Sequence, residues 1–317
     1  MSESARPRIG IIGTGAIGGY YGLLLARAGF EVHFLLRSEY AAVARDGLRV
    51  RHAQLGELHL PRVNAWRDAA EMPACDWLLV GAKTTSNAEL APLIARVAAP
   101  DAKVVLLQNG LGVEDALRPL LPEALHLLAG LCFICAHREA PGVVVHQAQG
   151  VCNLGYHSGP ASPAERQALV EQGVAWLREA GIESSVIADL NQARWQKLVW
   201  NIPYNGLSVL LDSSTRALMA NPDSRALLQA LMEEVVAATQ ACGYSLPDNY
   251  PQKLLAYTDR MPDYLPSMYH DFVQRRPAEL PALYEAPLAA AAAVGVEMPR
   301  VRMLYQALAF LQERGRQ

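Results

Sequence analysis

Ile9-Gly10-Ile11-Ile12-Gly13-Thr14-Gly15-Ala16-Ile17-Gly18 is a short apolar strand that runs into a G-x-G-x-x-G turn and on into a helical pattern from Tyr20 to Ala28. Strand, glycine turn and helix in that order are the context a dinucleotide fingerprint requires. Gly13 allows the tight turn, Gly15 lets backbone approach a pyrophosphate, and Gly18 lets the helix pack on the strand. Amides at the helix N-terminus then point at the anion. Gly13 through Gly18, with Thr14, Ala16 and Ile17 between them, are therefore the candidate cofactor cradle, although a tight turn that binds nothing can carry the same glycines.

The next apolar run, Glu31 to Leu36, ends at Arg37, 19 residues past Gly18. An NAD site would place Asp or Glu there against the ribose 2′-hydroxyl, whereas an arginine suits a 2′-phosphate. The position favours NADP(H) over NAD, with a solvated charge at a strand end as the plainer alternative.

Working outward, the chain of 317 residues is long enough for two domains, and 51% hydrophobic with 19% charged residues is ordinary for a globular enzyme. The net charge of −3 and the lack of a long basic run give no invitation to nucleic acid or an anionic membrane. No apolar stretch approaches the ~20 residues of a membrane span. A cytoplasmic protein is the expectation. Five cysteines, an odd number, do not suggest a secreted disulfide framework. Cys132 and Cys135 form a C-x-x-C pair near His137 and His146, but the segment is strongly apolar and no second pair exists, so core cysteines in a strand are expected and no metal.

Apolar runs at Arg8 to Ile12, Val32 to Leu36, Trp77 to Gly81 and Lys103 to Leu107 alternate with helical patterns such as Thr84 to Val97. That alternation predicts a doubly wound, Rossmann-type parallel sheet. Extended segments follow around Leu125 to Ala136, Val143 to His146 and Val151 to Tyr156, then a helix from Ser162 to Ala180 closed by Gly181, and a last strand from Ile182 to Ile187. From Asp189 onward the pattern is helical, including the alanine-rich Ala286 to Ala293. The fold class expected is α/β, a dinucleotide-binding domain over residues 1–188 followed by an all-helical domain over 189–317.

Ligands of such sheets sit at the carboxyl ends of the strands. Lys83 lies just past one strand and Asn109, in Gln108-Asn109-Gly110, just past the next. Both could reach the cofactor, or be a loop cation and a turn residue. A more specific pattern is Trp195-Gln196-Lys197-Leu198-Val199-Trp200-Asn201-Ile202-Pro203-Tyr204-Asn205, in which Lys197, Asn201 and Asn205 share one helix face in an apolar setting. A merely solvated stripe would more naturally use Glu, Lys or Arg than asparagine.

Taken together, Gly13 to Gly18, Arg37, Lys83, Gln108-Asn109-Gly110-Leu111-Gly112, the Lys197/Asn201/Asn205 helix, and Ser267-Met268-Tyr269-His270-Asp271 with the later Glu279 resemble the ketopantoate reductase (2-dehydropantoate 2-reductase) family over nearly the whole chain. The resemblance implies a Rossmann domain followed by a helical domain with the site in the cleft between them. It also implies NADPH-dependent reduction of 2-dehydropantoate to (R)-pantoate on the way to pantothenate and coenzyme A. By that resemblance Lys197 is the proton donor, Asn109, Asn201, Asn205 and Ser267 contact a small 2-oxo acid substrate, and Lys83, Asn109 and Glu279 contact NADP. Glu279 reads equally as an acid in the first turn of a helix begun by Pro277.

Two departures stand out. A family asparagine expected ten residues beyond Asn205 falls at Thr215, and the usual Ile-Asp-x-x-Asn-Gly reads Leu280-Pro281-Ala282-Leu283-Tyr284-Glu285. They leave open which 2-oxo acid is preferred, a branched or aromatic one included. A non-catalytic NADP-binding regulator is a further reading, against which the intact lysine and asparagines count. Oligomeric state is undetermined, with a homodimer open.

Overall fold

The computed structural model describes residues 6–315, and its chain divides into two compact units. One comprises residues up to Gln108 together with Val113–Leu190; the other comprises Asn109–Gly112 and Asn191 onward.

The first unit begins with β1 (Arg8–Ile12), α1 (Ala16–Arg27) and β2 (Glu31–Leu35), followed by α2 (Tyr40–Asp46), β3 (Leu48–His52), β4 (Gly56–Leu60) and β5 (Asn64–Trp66). It continues with β6 (Cys75–Val80), α3 (Asn87–Val97), β7 (Ala98–Leu106), α4 (Val113–Leu117), β8 (His126–Ala140), β9 (Val143–Ser158) and α5 (Pro163–Glu179). The strands make one sheet in the order β4-β3-β9-β8-β7-β6-β1-β2-β5, parallel except for the β3–β4 and β8–β9 pairs. Ile11, Ile12, Leu78 and Val80 are fully buried because helices cover both faces, which is why these strands read as continuous apolar runs. Burying each such side chain contributes roughly 1.5–3 kcal/mol.

The sheet departs from the sequence expectation in three places. First, β3 to β5 were not expected. Leu48 and Val50 are buried while Arg49 and Arg51 are exposed, the alternation of a half-buried strand, but β5 is only three residues long and carries little pattern. Second, Val143 to His146 and Val151 to Tyr156 are parts of a single strand, β9. The gap between them is a bulge: Phe133 pairs Val151 and Ile134 pairs Gln149, leaving Gly150 extra at φ 129°. Third, Ile182 to Ile187 is not a regular strand: it lies along β9 through backbone bonds from Cys152 to Glu183, Leu154 to Ser185 and Ile187 to Leu154, with Val186 and Leu154 forming an isolated bridge. The Asn153 side-chain oxygen accepts from both the amide and the hydroxyl of Ser185 and draws that amide out of a ladder.

Helix α5 starts where the sequence signals it, on a reciprocal capping box between Ser162 and Glu165. Beyond it the second unit holds α6 (Leu190–Leu210), α7 (Thr215–Ala220), α8 (Pro222–Ala241), α9 (Tyr250–Thr258), α10 (Ser267–Val273), α11 (Ala286–Ala293) and α12 (Pro299–Gly315). Just before α11, Pro281–Glu285 winds as a single π-helical turn. No helix begins at Pro277; the chain turns helical only at Leu280, so Glu279 precedes the helix and is not in its first turn. The core gathers around α6, whose Trp195, Leu198, Val199, Ile202 and Leu207 pack with Leu231, Val235, Tyr284 and Leu304. Among the described residues no helix is long and apolar enough to cross a membrane.

Candidate active site

In the first unit the site is made by backbone. Strand β1 lies between β2 and β6, so the chain leaves it toward opposite sides and a crevice opens at its carboxyl end. The Gly13 turn sits there against the loop that follows β6: a Cβ on Gly13, at φ +85°, would come within 2.4 Å of the Ala82 nitrogen. Gly18 is equally tight, its Cβ falling 2.4 Å from the Gly13 carbonyl oxygen, so no larger residue lets α1 start this close to the strand. Gly15 differs, since nothing lies within 4 Å of where its Cβ would be. It faces open space.

That open space meets an uncapped helix. Gly15 offers no side chain to the first turn of α1, and no acidic residue stands in that turn. The amide groups of Ala16 and Ile17 are thus left for an anion. Thr14, only 7% exposed, has a buried hydroxyl with no hydrogen-bond partner, a cost that a bound group would remove. The cradle therefore fits the pyrophosphate of a dinucleotide. Arg37 stands just past β2, 63% exposed, and meets Glu89 only at 3.4 Å, a loose surface pair that leaves the guanidinium available.

Lys83 follows β6 and leads into a single 3-10 turn, Thr84–Ser86. A pair of buried amides fixes this loop. Gln108 Nε2 donates to Asn87 Oδ1 at 2.7 Å and to the Ala82 carbonyl at 2.9 Å, while Asn87 Nδ2 donates to Gln108 Oε1. Sequence reasoning passed over Asn87. The one available signal was an amide residue at the start of a helix that the neighbouring pattern buries.

In the second unit the site is made by side chains. Lys197, Asn201 and Asn205 recur along one face of α6, as their spacing requires. Lys197 Nζ donates to Asn109 Oδ1 at 2.7 Å. Asn109 is held in place because its loop is fastened to the same unit: the Leu111 amide donates to the Ala282 carbonyl at 2.9 Å. Gly110, at φ +114°, packs so close to Ala282 that a Cβ would come within 2.5 Å of it.

The two helix asparagines differ in what they do. Asn205 is spent on structure, its amide nitrogen donating to the Asn201 carbonyl at 2.9 Å and its oxygen accepting from the Met268 amide at 3.4 Å. This brings Ser267, the first residue of α10, next to α6. Asn201 is 7% exposed, yet among the described residues nothing hydrogen-bonds to its side-chain amide. Such a group is available to a ligand.

Pro203 removes a donor from the middle of α6. The donor removed is the one the Val199 carbonyl would take; three residues on, the Tyr284 hydroxyl donates to the Ile202 carbonyl at 2.8 Å, and burial holds that phenol far above its ordinary pKa, so it remains a donor. Thr215 is also spent: 2% exposed, its hydroxyl accepts from the Tyr264 amide at 3.1 Å. Glu279 is buried at the entry to the π turn. Cys132 and Cys135 are buried in β8, as expected of core thiols.

Two family models cover this architecture, ketopantoate reductase PanE/ApbA over residues 9–159 and ketopantoate reductase PanE/ApbA C terminal over residues 189–312. The chain belongs to the ketopantoate reductase family. It is 42% identical over 306 residues to a 2-dehydropantoate 2-reductase of Nostoc sp., covering 96% of this chain and 95% of that one. Among solved structures, the 2-dehydropantoate 2-reductase of Geobacter metallireducens aligns with a TM-score of 0.86 at 39% identity over 95% of this chain and 99% of its own. That of Methylococcus capsulatus aligns at 0.84 with 34% identity over 98% of each.

Proposed function

We propose that this chain is an NADPH-dependent oxidoreductase that reduces 2-dehydropantoate to (R)-pantoate in pantothenate biosynthesis. The observation that carries the reading is the Lys197–Asn109 hydrogen bond beside the uncommitted amide of Asn201, in a family member whose glycine cradle is intact. Bound NADPH supplies the hydride that reaches the 2-oxo carbon.

The chain's own residues do the rest. Lys197 has three N–H donors, of which Asn109 takes one and thereby aims the ammonium. A second donor meets the carbonyl oxygen, where negative charge develops as the carbon is reduced, and stabilises it. The same nitrogen then gives its proton to that oxygen, leaving a hydroxyl. The Asn201 amide hydrogen-bonds the substrate, and Ser267, set beside α6 by Asn205, donates to the carboxylate. In the first unit Gly13 to Gly18 cradle the pyrophosphate, Arg37 pairs with the 2′-phosphate, and Lys83 approaches the cofactor from its fixed loop. Glu279 is assigned to the cofactor by family likeness.

A competing reading keeps the chemistry and changes the substrate. Thr215 and Tyr284, at the positions that depart from the family pattern, commit their hydroxyls to Tyr264 and Ile202. Each thus has its proton or an acceptor position engaged within the fold, which disfavours a hydroxylated 2-oxo acid relative to an alkyl or aryl one. Steady-state NADPH oxidation over a panel of 2-oxo acids decides: 2-dehydropantoate giving the highest kcat/KM is the expected result, and an alkyl or aryl 2-oxo acid ahead of it by tenfold would replace the substrate assignment. Under this reading the protein works in the cytoplasm, where thiols stay reduced.

A further inference from the structure

The C-x-x-C pair of the sequence has no part in the proposed reaction, but one of its cysteines has a partner elsewhere. Cys132 in β8 lies directly opposite Cys152 in β9, with the sulfurs 3.9 Å apart. Cys135 lies opposite Ala148 and faces no thiol across the ladder.

The backbone settles which kind of cross-strand pair this is. The Cys152 amide donates to the Glu183 carbonyl at 2.9 Å, and the Cys152 carbonyl accepts from the Ser184 hydroxyl at 2.5 Å. Both groups point away from β8, so Cys132 and Cys152 form a non-hydrogen-bonded pair. In such pairs the Cα atoms are about 4.5 Å apart and the side chains are at their closest. That separation lies inside the ~4.4–6.8 Å range that a disulfide accepts. The sulfurs need only rotate from 3.9 Å toward bonding distance while the ladder stays where it is. Gly130 leaves the room for this, because a Cβ there would stand 3.3 Å from the Cys152 sulfur. Above the pair, Tyr21 of α1 donates its hydroxyl to the Val151 carbonyl at 3.1 Å and holds the strand next to the thiol.

We propose that Cys132 and Cys152 are a dithiol that a peroxide-class oxidant converts, reversibly, into an intramolecular disulfide across the β8–β9 hairpin. Cys132, 8% exposed against 1% for Cys152, is the sulfur that meets the oxidant. Its thiolate attacks one peroxide oxygen, the O–O bond breaks, and Cys132 becomes a sulfenic acid with release of water. The Cys152 sulfur then attacks the Cys132 sulfur, the S–O bond breaks, and a second water leaves. Two thiols lose two electrons and two protons to one peroxide. A small-molecule dithiol restores both.

The test exposes the full-length protein to hydrogen peroxide, alkylates the remaining thiols in denaturant, and maps peptides without reduction. Cys242, the only one of the five that is not buried, reports that the oxidant dose was sufficient. The expected result is a linked peptide pair containing Cys132 and Cys152, a loss of two hydrogens in mass from that pair, and full recovery of both thiols with dithiothreitol. In Cys132→Ser the linked pair should vanish while Cys242 oxidises as before. Cys132 and Cys152 both still alkylated after Cys242 has been oxidised would overturn the proposal. So would a linkage of either one to Cys135 or Cys75.

Discussion

In the first unit the turn from Gly13 to Gly18 acts through what its residues lack, whereas in the second unit the α6 face acts through what its residues carry. Gly13 and Gly18 are fixed by contacts that would exist in an empty fold, and Gly15 by none. On α6, Asn205 is consumed by the fold, Lys197 is aimed by its bond to Asn109, and Asn201 is left over. In both units a residue with little structural employment, Gly15 in the turn and Asn201 on the helix, is among those assigned to a ligand. Structural cost and functional cost should therefore separate on mutation, and they should do so in opposite ways for residues only two to four positions apart.

The largest separation is expected at Lys197. Lys197→Ala should lower kcat by about 10² to 10⁴, the usual scale of general acid catalysis, with NADPH affinity nearly unchanged. Single-turnover NADPH oxidation beside a fluorescence titration of the cofactor measures both; near-normal turnover would remove Lys197 from the chemistry. Next comes the glycine pair. Gly15→Ala should weaken NADPH on the order of a hundredfold by keeping two charge-assisted amide contacts from forming. Its stability should stay within about 0.5 kcal/mol, because the added methyl meets nothing. Gly13→Ala should do the reverse and lower the melting temperature first, since its Cβ strikes the Ala82 backbone. Equal melting temperatures for the two variants would break the comparison.

Arg37→Asp should cost NADPH roughly tenfold to a hundredfold and leave NADH unharmed, as charge-assisted contacts contribute about 1.5–3 kcal/mol. Equal losses for both cofactors would show that Arg37 does not read the phosphate. The smallest effect is expected at its neighbour. Glu89→Gln removes a partner 3.4 Å from Arg37 at a surface 71% exposed, so it should change stability by less than ~1 kcal/mol and leave NADPH affinity equal or slightly tighter. A clear loss of NADPH affinity in that variant would mean that the pair orients Arg37.

What the sequence made legible follows the same division. The strand–turn–helix from Arg8 to Arg27 could be read because buried parallel strands are apolar throughout and because glycine marks the close approach. The α6 face could be read because helical spacing places Lys197, Asn201 and Asn205 together wherever that helix packs. What could not be read depends on partners distant in sequence. Nothing local says that Asn205 spends its amide on Met268, that Thr215 ties to Tyr264, or that Asn153 draws Ser185 out of a strand. The gap read between two halves of β9 was a real signal wrongly assigned, because a bulge at Gly150 carries the same glycine punctuation as a turn.

The assignment of Asn109–Gly112 to the second unit means that the chain passes from one unit to the other three times, after Gln108, Gly112 and Leu190. The helical half is thus discontinuous in the gene. A fragment from Asn191 onward would keep Lys197 but lose Asn109, the residue that aims it. Residues 109–112 carry the acceptor that aims the Lys197 ammonium and lie in the chain between two parts of the other unit, so recombination between relatives should tolerate a junction near residue 190 only when both parents carry a compatible loop at 109–112.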